Sequence, residues 1–233
     1  MGSLSDFMAN MDWQRMLTTL FSAVAALICL TIHELCHGLT AYRLGDPTAK
    51  VAGRLTLNPI RHIDPFGLIL MVTAGVGWAK PVPVDMRYFK APKRDMAITA
   101  LAGPVSNFLL AWLFLLLGGG TFRWMMGGLL GGYPAWAGYT LLYLTQFLEN
   151  AAILSVGLGV FNLFPVPPLD GSRVVFALLP DRAYYTVMAY ERYVMVAVLA
   201  AVWLGWLDQP LTFLISHVTN FLCTISFFPY PLF

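Results

Sequence analysis

The chain has 233 residues, 58% of them hydrophobic and only 11% charged, with a mean hydropathy of +0.69. Its polar side chains are too few to cover a soluble globule, so an integral membrane protein is expected. A formal net charge of +2 with no basic cluster interleaved with aromatic residues excludes nucleic acid as the partner, and the scattered Cys29, Cys36 and Cys223 exclude a disulfide framework.

The residues before Met16 lack the basic segment and small-residue cleavage site of a signal peptide, and Asp6 stands where a myristoylation signal needs Ser or Thr. The first apolar run is therefore expected to persist as a membrane helix, from about Met16 to Arg43, ended by Leu44-Gly45-Asp46-Pro47. It is uncharged as far as Thr31 and then carries His33-Glu34-Leu35-Cys36-His37. At 3.6 residues per turn the two histidines share a face one turn apart, so both imidazoles can reach one metal ion, with Glu34 beside them as a base. Ionisable groups inside a span are costly and usually mark function. His37 should lie about 9 Å along the axis from the helix end, within the bilayer but near a surface that can supply water.

From Thr48 to Pro59 the chain reads as polar strand and turn. The next apolar piece, Phe66 to Ala79, has about 14 residues against the roughly 20 of a spanning helix, and a re-entrant or hairpin element fits it better. Alternating prolines make Lys80 to Asp85 an edge strand or extended loop. Further spans are expected from Met96 to Leu117, from Gly138 to Phe164 and from Val187 to Leu207. The tail from Leu211 to Phe228 is apolar enough either to span or to lie in the interface. No repeat or linker divides the chain, which reads as a single domain over residues 1–233, with a core at 16–173 and C-terminal spans at 184–228.

Charge fixes the expected topology. If Phe66 to Ala79 does not cross, only Arg15 and Arg123 of the 14 Lys and Arg residues face away from the others. That asymmetry places the N-terminus outside, and the end of the first helix and the Asp170 loop on the cytoplasmic side. A catalytic zinc takes three protein ligands and leaves one position for water, so two histidines need a partner. Asp170, emerging from the proline-rich break Pro165-Val166-Pro167-Pro168, leads the candidates on that side, ahead of Asp64, Glu149 and Cys36. His62 reads as a structural or interface histidine. Asn107 reads equally as a donor to a tetrahedral oxyanion or as a helix–helix hydrogen bond.

Five motifs in order, HELCHG from His33, GRLTLNPIRHIDPFG from Gly53, GWAKPVPVD from Gly77, AGPVSN from Ala102 and FNLFPVPPLDG from Phe161, resemble the site-2 protease family of intramembrane zinc metallopeptidases, peptidase M50. The resemblance covers most of the chain up to about Arg173 and is to a compact form without a PDZ or CBS domain. It implies one zinc per chain on His33, His37 and Asp170, Glu34 as catalytic base, and Asn107 and Asn162 as support for the site.

The expected protein is thus an all-α polytopic protein of the cell membrane. It has about five to six membrane helices, with a short re-entrant or β-hairpin element between the first two core spans. Its expected function is zinc endopeptidase cleavage in or next to transmembrane segments of membrane-bound substrates, near the cytoplasmic face. A helical substrate must unwind to be cut, and the edge carrying Trp78, Val82 and Val84 could receive it by strand addition. The alternative is a metal permease or metal-binding scaffold without peptidase activity.

Overall fold

A carboxylate starts the first helix: Asp12 accepts a hydrogen bond from the Arg15 amide at 2.9 Å, satisfying one of the donors a helix start leaves open. The structure, a computed structural model, describes residues 12–67 and 79–226. Helix α1 (Trp13–Arg43) runs 31 residues with no charged side chain between Arg15 and Glu34. At 1.5 Å per residue that is about 46 Å, more than a bilayer core requires.

The stretch expected as strand and turn after α1 is instead helical at both ends. The buried Asp46 Oδ1 accepts from the Thr48 amide at 2.9 Å and from the Thr48 hydroxyl, which turns the chain into α2 (Thr48–Val51). Asn58 then accepts from the Ile60 amide at 3.1 Å and caps a 3-10 turn, Pro59–His62. These side-chain caps offer the backbone a local partner, and helical turns form where a polar strand and turn was expected. Among the described residues no strand forms. The one pairing is an isolated antiparallel bridge between Ile63 and Ala79, extended by a 2.9 Å hydrogen bond from the Lys80 amide to the His62 carbonyl. Most of the Phe66 to Ala79 element, and Trp78 with it, lies outside the described residues.

Helix α3 (Pro92–Gly131) is 40 residues long, well beyond the expected Met96 to Leu117, because Gly118 to Gly120 continue the helix rather than ending it. Without water to compete for the backbone, glycine loses much of its helix-breaking effect in a membrane. The helix is capped by Gly132, whose φ of 75° is open mainly to glycine, and after a three-residue link α4 (Ala135–Asn162) returns antiparallel. Beyond the proline-rich turn follow α5 (Asp170–Phe176), α6 (Asp181–Ala189), α7 (Glu191–Trp203) and α8 (Asp208–Ile225). The expected Val187 to Leu207 span is broken near Tyr190, where α6 and α7 meet at 58°.

Helices α1, α3 and α4 are each long and apolar enough to cross a membrane, and α6 with α7 adds a fourth if the bent pair is one span. The three long helices pack on one another through small side chains, Ala25 and Cys29 from α1, Ala111 from α3, and Ala151 and Ala152 from α4, all at most 1% exposed. Lipid gives apolar helices little reason to associate by hydrophobicity, so close backbone approach and polar cross-links must do so. The cross-links are Asn150 Nδ2 to Ser22 Oγ at 2.9 Å, Ser155 Oγ to the Asn107 carbonyl at 2.8 Å, and the Thr121 and Thr145 hydroxyls at 2.8 Å. Lys93 with Asp181 at 2.7 Å joins α3 to α6, and Arg173 with Glu191 at 2.6 Å joins α5 to α7.

Candidate metal centre

The helical repeat places His33 and His37 edge to face, ring centroids 4.5 Å apart, with their Nε2 atoms 2.9 Å from one another. Asp170, the first residue of α5, brings Oδ2 to 3.1 Å from His33 Nε2 and 3.2 Å from His37 Nε2. Three lone-pair atoms thus form a nearly equilateral triangle. Donors about 2 Å from a tetrahedral zinc lie roughly 3.3 Å apart, so the triangle is of the size that ion requires. Among the described residues, Asp170 Oδ2 is buried and receives no hydrogen bond, an orphaned acceptor that a cation would satisfy. Both histidines are at most 8% exposed, while the Asp170 side chain retains 20% exposure, leaving a wet edge to the cluster.

The surrounding shell orients these ligands. His37 Nδ1 donates to the Thr99 carbonyl at 2.7 Å, which leaves its Nε2 lone pair for a metal. On the other imidazole, Asn107 Nδ2 lies 2.9 Å from His33 Nδ1, and Asn107 is fully buried with its Oδ1 unpartnered. Two glycines make the assembly possible. A Cβ on Gly103 would lie 2.4 Å from His37 Nε2 and 2.6 Å from His33 Cε1, so only glycine lets α3 approach the imidazoles. A Cβ on Gly171 would lie 2.1 Å from the Leu163 carbonyl oxygen, so only glycine lets the chain fold back over the end of α4 and present Asp170.

Glu34 is not among the three. Its Oε2 accepts a 2.8 Å hydrogen bond from the Val82 amide, which brings the proline-alternating segment onto the HExxH helix. The neighbouring amides of Lys80 and Asp85 are also engaged, by the His62 carbonyl and by Asp46 Oδ2 at 2.7 Å, and Pro81 and Pro83 have no N–H. Asp85 in turn holds Arg87, whose guanidinium keeps the Asp85 carboxyl down at about 2.

Asn162 bonds back to the Leu158 carbonyl at 2.9 Å and stands apart from the three ligands. Asp64 caps the Gly67 amide at 2.9 Å. Among the described residues His33, His37 and Asp170 form the only group of three or more His, Cys, Asp or Glu able to hold a metal, so Asp64, Glu149 and Cys36 do not join it. Three contributors were missing from the sequence reading: the Thr99 carbonyl, and the close-approach roles of Gly103 and Gly171. The one available signal for the glycines was a small residue beside Pro104 and another directly after Asp170.

The family model for peptidase family M50 matches residues 125–205. The Bacillus subtilis protein named "Putative zinc metalloprotease YwhC" is 43% identical over 162 residues, which cover 69% of this chain and 69% of that protein. This chain belongs to peptidase family M50. The Rip2 proteins of Mycolicibacterium smegmatis and Mycobacterium tuberculosis, which carry the same designation, are 34% identical over 157 and 150 residues, 62% of this chain in each case. The aligned region spans 52% of their own length. No solved structure matches significantly. As an M50 peptidase the protein is an intramembrane zinc metalloprotease, and the permease or scaffold alternative is not favoured.

Proposed function

We propose that His33, His37 and Asp170 are the zinc ligands of this M50 peptidase and that Glu34 is its general base. The observation that carries the reading is the triangle of Nε2, Nε2 and Oδ2 atoms with edges of 2.9, 3.1 and 3.2 Å around an otherwise unpaired carboxylate oxygen. When bound, zinc supplies Lewis acidity and makes water nucleophilic near neutral pH. The chain's own residues supply the rest. Glu34 takes the proton from the attacking water and returns it to the leaving amine, and the Val82 N–H fixes the carboxylate rotamer while it does so. Thr99 holds the His37 tautomer. His33, with Nε2 committed to a ligand role, must carry its one N–H proton on Nδ1, and that proton needs an acceptor. Turning the Asn107 amide over brings Oδ1 to that position and gives the orphaned oxygen its partner.

The substrates we propose are transmembrane or membrane-adjacent segments cut near the cytoplasmic face, by a single domain of about five to six membrane helices that includes a re-entrant element after His62. Exposed Trp13, Trp124, Tyr133, Trp136 and Tyr139 mark the end of the bundle remote from the ligands as a membrane interface, and the excess of Lys and Arg at the ligand end supports its cytoplasmic placement. Strand addition along Lys80 to Asp85 would use the Val84 amide and the segment's carbonyls, since the other amides there are already engaged or absent. Asn162 supports the site at a distance, by closing the last turn of α4.

The test is Glu34→Gln in the purified full-length protein. Its zinc content should match the wild type, while cleavage of a single-span model substrate should fall by at least about a hundredfold, the contribution of a general base. Retained cleavage, or a zinc content below one per chain in the wild type, would reject the assignment.

A further inference from the structure

Beside the metal centre, a largely apolar cavity of about 540 Å³ lies between α1, α4, α8 and the loop that follows α2. Leu27, Leu30 and Thr31 line it. They stand seven, four and three residues before Glu34, so they share the Glu34 face of α1 and the cavity continues that face deeper into the bilayer. Three polar side chains break its apolar wall; Asp64 accepts from the Gly67 amide at 2.9 Å, and the other two are His62 and Thr31. His62 is 2% exposed, and its Nε2 lies 3.0 Å from the Thr56 carbonyl, to which it donates; that leaves Nδ1 as a lone-pair acceptor, buried and without a partner among the described residues. Thr31 is 4% exposed, and its Oγ1 is likewise buried and unpartnered. An acceptor and a hydroxyl donor left unsatisfied at one cavity are costly in a folded chain, and their retention points to a ligand that completes them.

We propose that His62 and Thr31 receive an unwound peptide unit of the membrane-bound substrate, its N–H donating to His62 Nδ1 and its C=O accepting from the Thr31 hydroxyl. This rests on the intramembrane-protease reading. A helix exposes a cleavable bond only where its own hydrogen bonds are opened, and in lipid the freed N–H and C=O have no water to turn to. An acceptor and a donor lining one cavity, with Thr31 one helical turn from Glu34, lower the cost of that opening, and the cavity takes the apolar side chains of the opened turn. Because these bonds form only after unwinding, they act on the transition state of an intact helical substrate more than on its binding.

The test uses the full-length protein in lipid nanodiscs and a leucine–alanine single-span probe peptide in two forms, one uninterrupted and one with a central Asn-Gly break. Thr31→Val removes the hydroxyl at constant shape, and His62→Gln retains a donor toward Thr56 while removing the Nδ1 acceptor. Each should lower kcat on the uninterrupted probe about tenfold with KM unchanged, and should instead raise KM on the broken probe, zinc content staying normal. The same kcat and KM changes on both probes, or none on either, would overturn the proposal. Binding is read separately by placing a benzophenone side chain at Leu27 in the Glu34→Gln variant. The probe should cross-link on irradiation. Gly157→Leu should abolish the cross-link by filling the cavity from α4, where an added Cβ makes only ordinary contact with Ile215 at 3.5 Å. No cross-link, or one that survives Gly157→Leu, refutes the docking. A cross-link without any Glu34-dependent cleavage refutes the protease reading and leaves the docking in place.

Discussion

Gly103 carries a constraint out of proportion to its size. Replacing a helical glycine by alanine ordinarily stabilises by about 1 kcal/mol through the unfolded chain. Here the new Cβ would meet both imidazoles at 2.4 to 2.6 Å, and neither α1 nor α3 can yield without separating the helices that define the site. Gly103→Ala should therefore leave helix content unchanged by circular dichroism yet remove most of the zinc measured by elemental analysis. Asn107 poses a different question, because its amide can present either a donor or an acceptor to His33. If the acceptor matters, Asn107→Leu should weaken zinc binding roughly 10- to 100-fold, as loss of an outer-shell partner does, and Asn107→Asp should retain most of it. A competitive chelator titration measures both, and equal affinities for the two variants would assign Asn107 to packing alone.

The segment from Lys80 to Asp85 shows how far an element can be read before its partners are known. Its alternating prolines predicted an extended edge, and its amides are in fact directed to His62, Glu34 and Asp46. The sequence shows which residues lack an N–H but not where the remaining ones point. The same division holds elsewhere. The apolar run and the i, i+4 histidines made α1 legible, and the proline-rich break marked where Asp170 leaves the bundle. The length of α3 was hidden because the apolar run ends at Gly118 to Gly120, while the helix continues through them. The helical turn at Thr48 was hidden because it depends on Asp46 being buried. Two variants separate the roles that one segment combines. Val82→Pro deletes the N–H that orients Glu34 while remaining compatible with an extended backbone, and it should lower kcat by about tenfold or more with zinc retained. Val84→Pro leaves Glu34 untouched and should raise KM if a substrate strand pairs there. Steady-state kinetics on a single-span substrate distinguishes the two, and a Val82→Pro enzyme with wild-type kcat would remove the positioning role.

Across the whole chain, the ligand set and the charge pattern make one statement about orientation. The metal-ligand end of α1, the first turn of α3 and the start of α5 to α7 share one end of the bundle, bound there by the Lys93–Asp181 and Arg173–Glu191 pairs. The opposite end carries Trp13 and the aromatic turn between α3 and α4, with Trp124 donating to the Tyr133 hydroxyl at 3.3 Å. A membrane that α3 and α4 each cross once, with the cationic end at its cytoplasmic face, holds that turn outside, because the two helices meet there. With Cys29, Cys36 and Cys223 replaced by alanine, a cysteine placed by Tyr133→Cys should react in intact cells with an impermeant maleimide. One placed by Arg182→Cys should react only after the membrane is opened. Reversed labelling would turn the molecule over and put the cut on the outer face. Equal labelling of both sites in intact cells would mean that the hairpin of α3 and α4 does not traverse the bilayer. The triangle of ligands would then open to the outside together with the basic residues, and the asymmetry of Lys and Arg would need another cause than orientation.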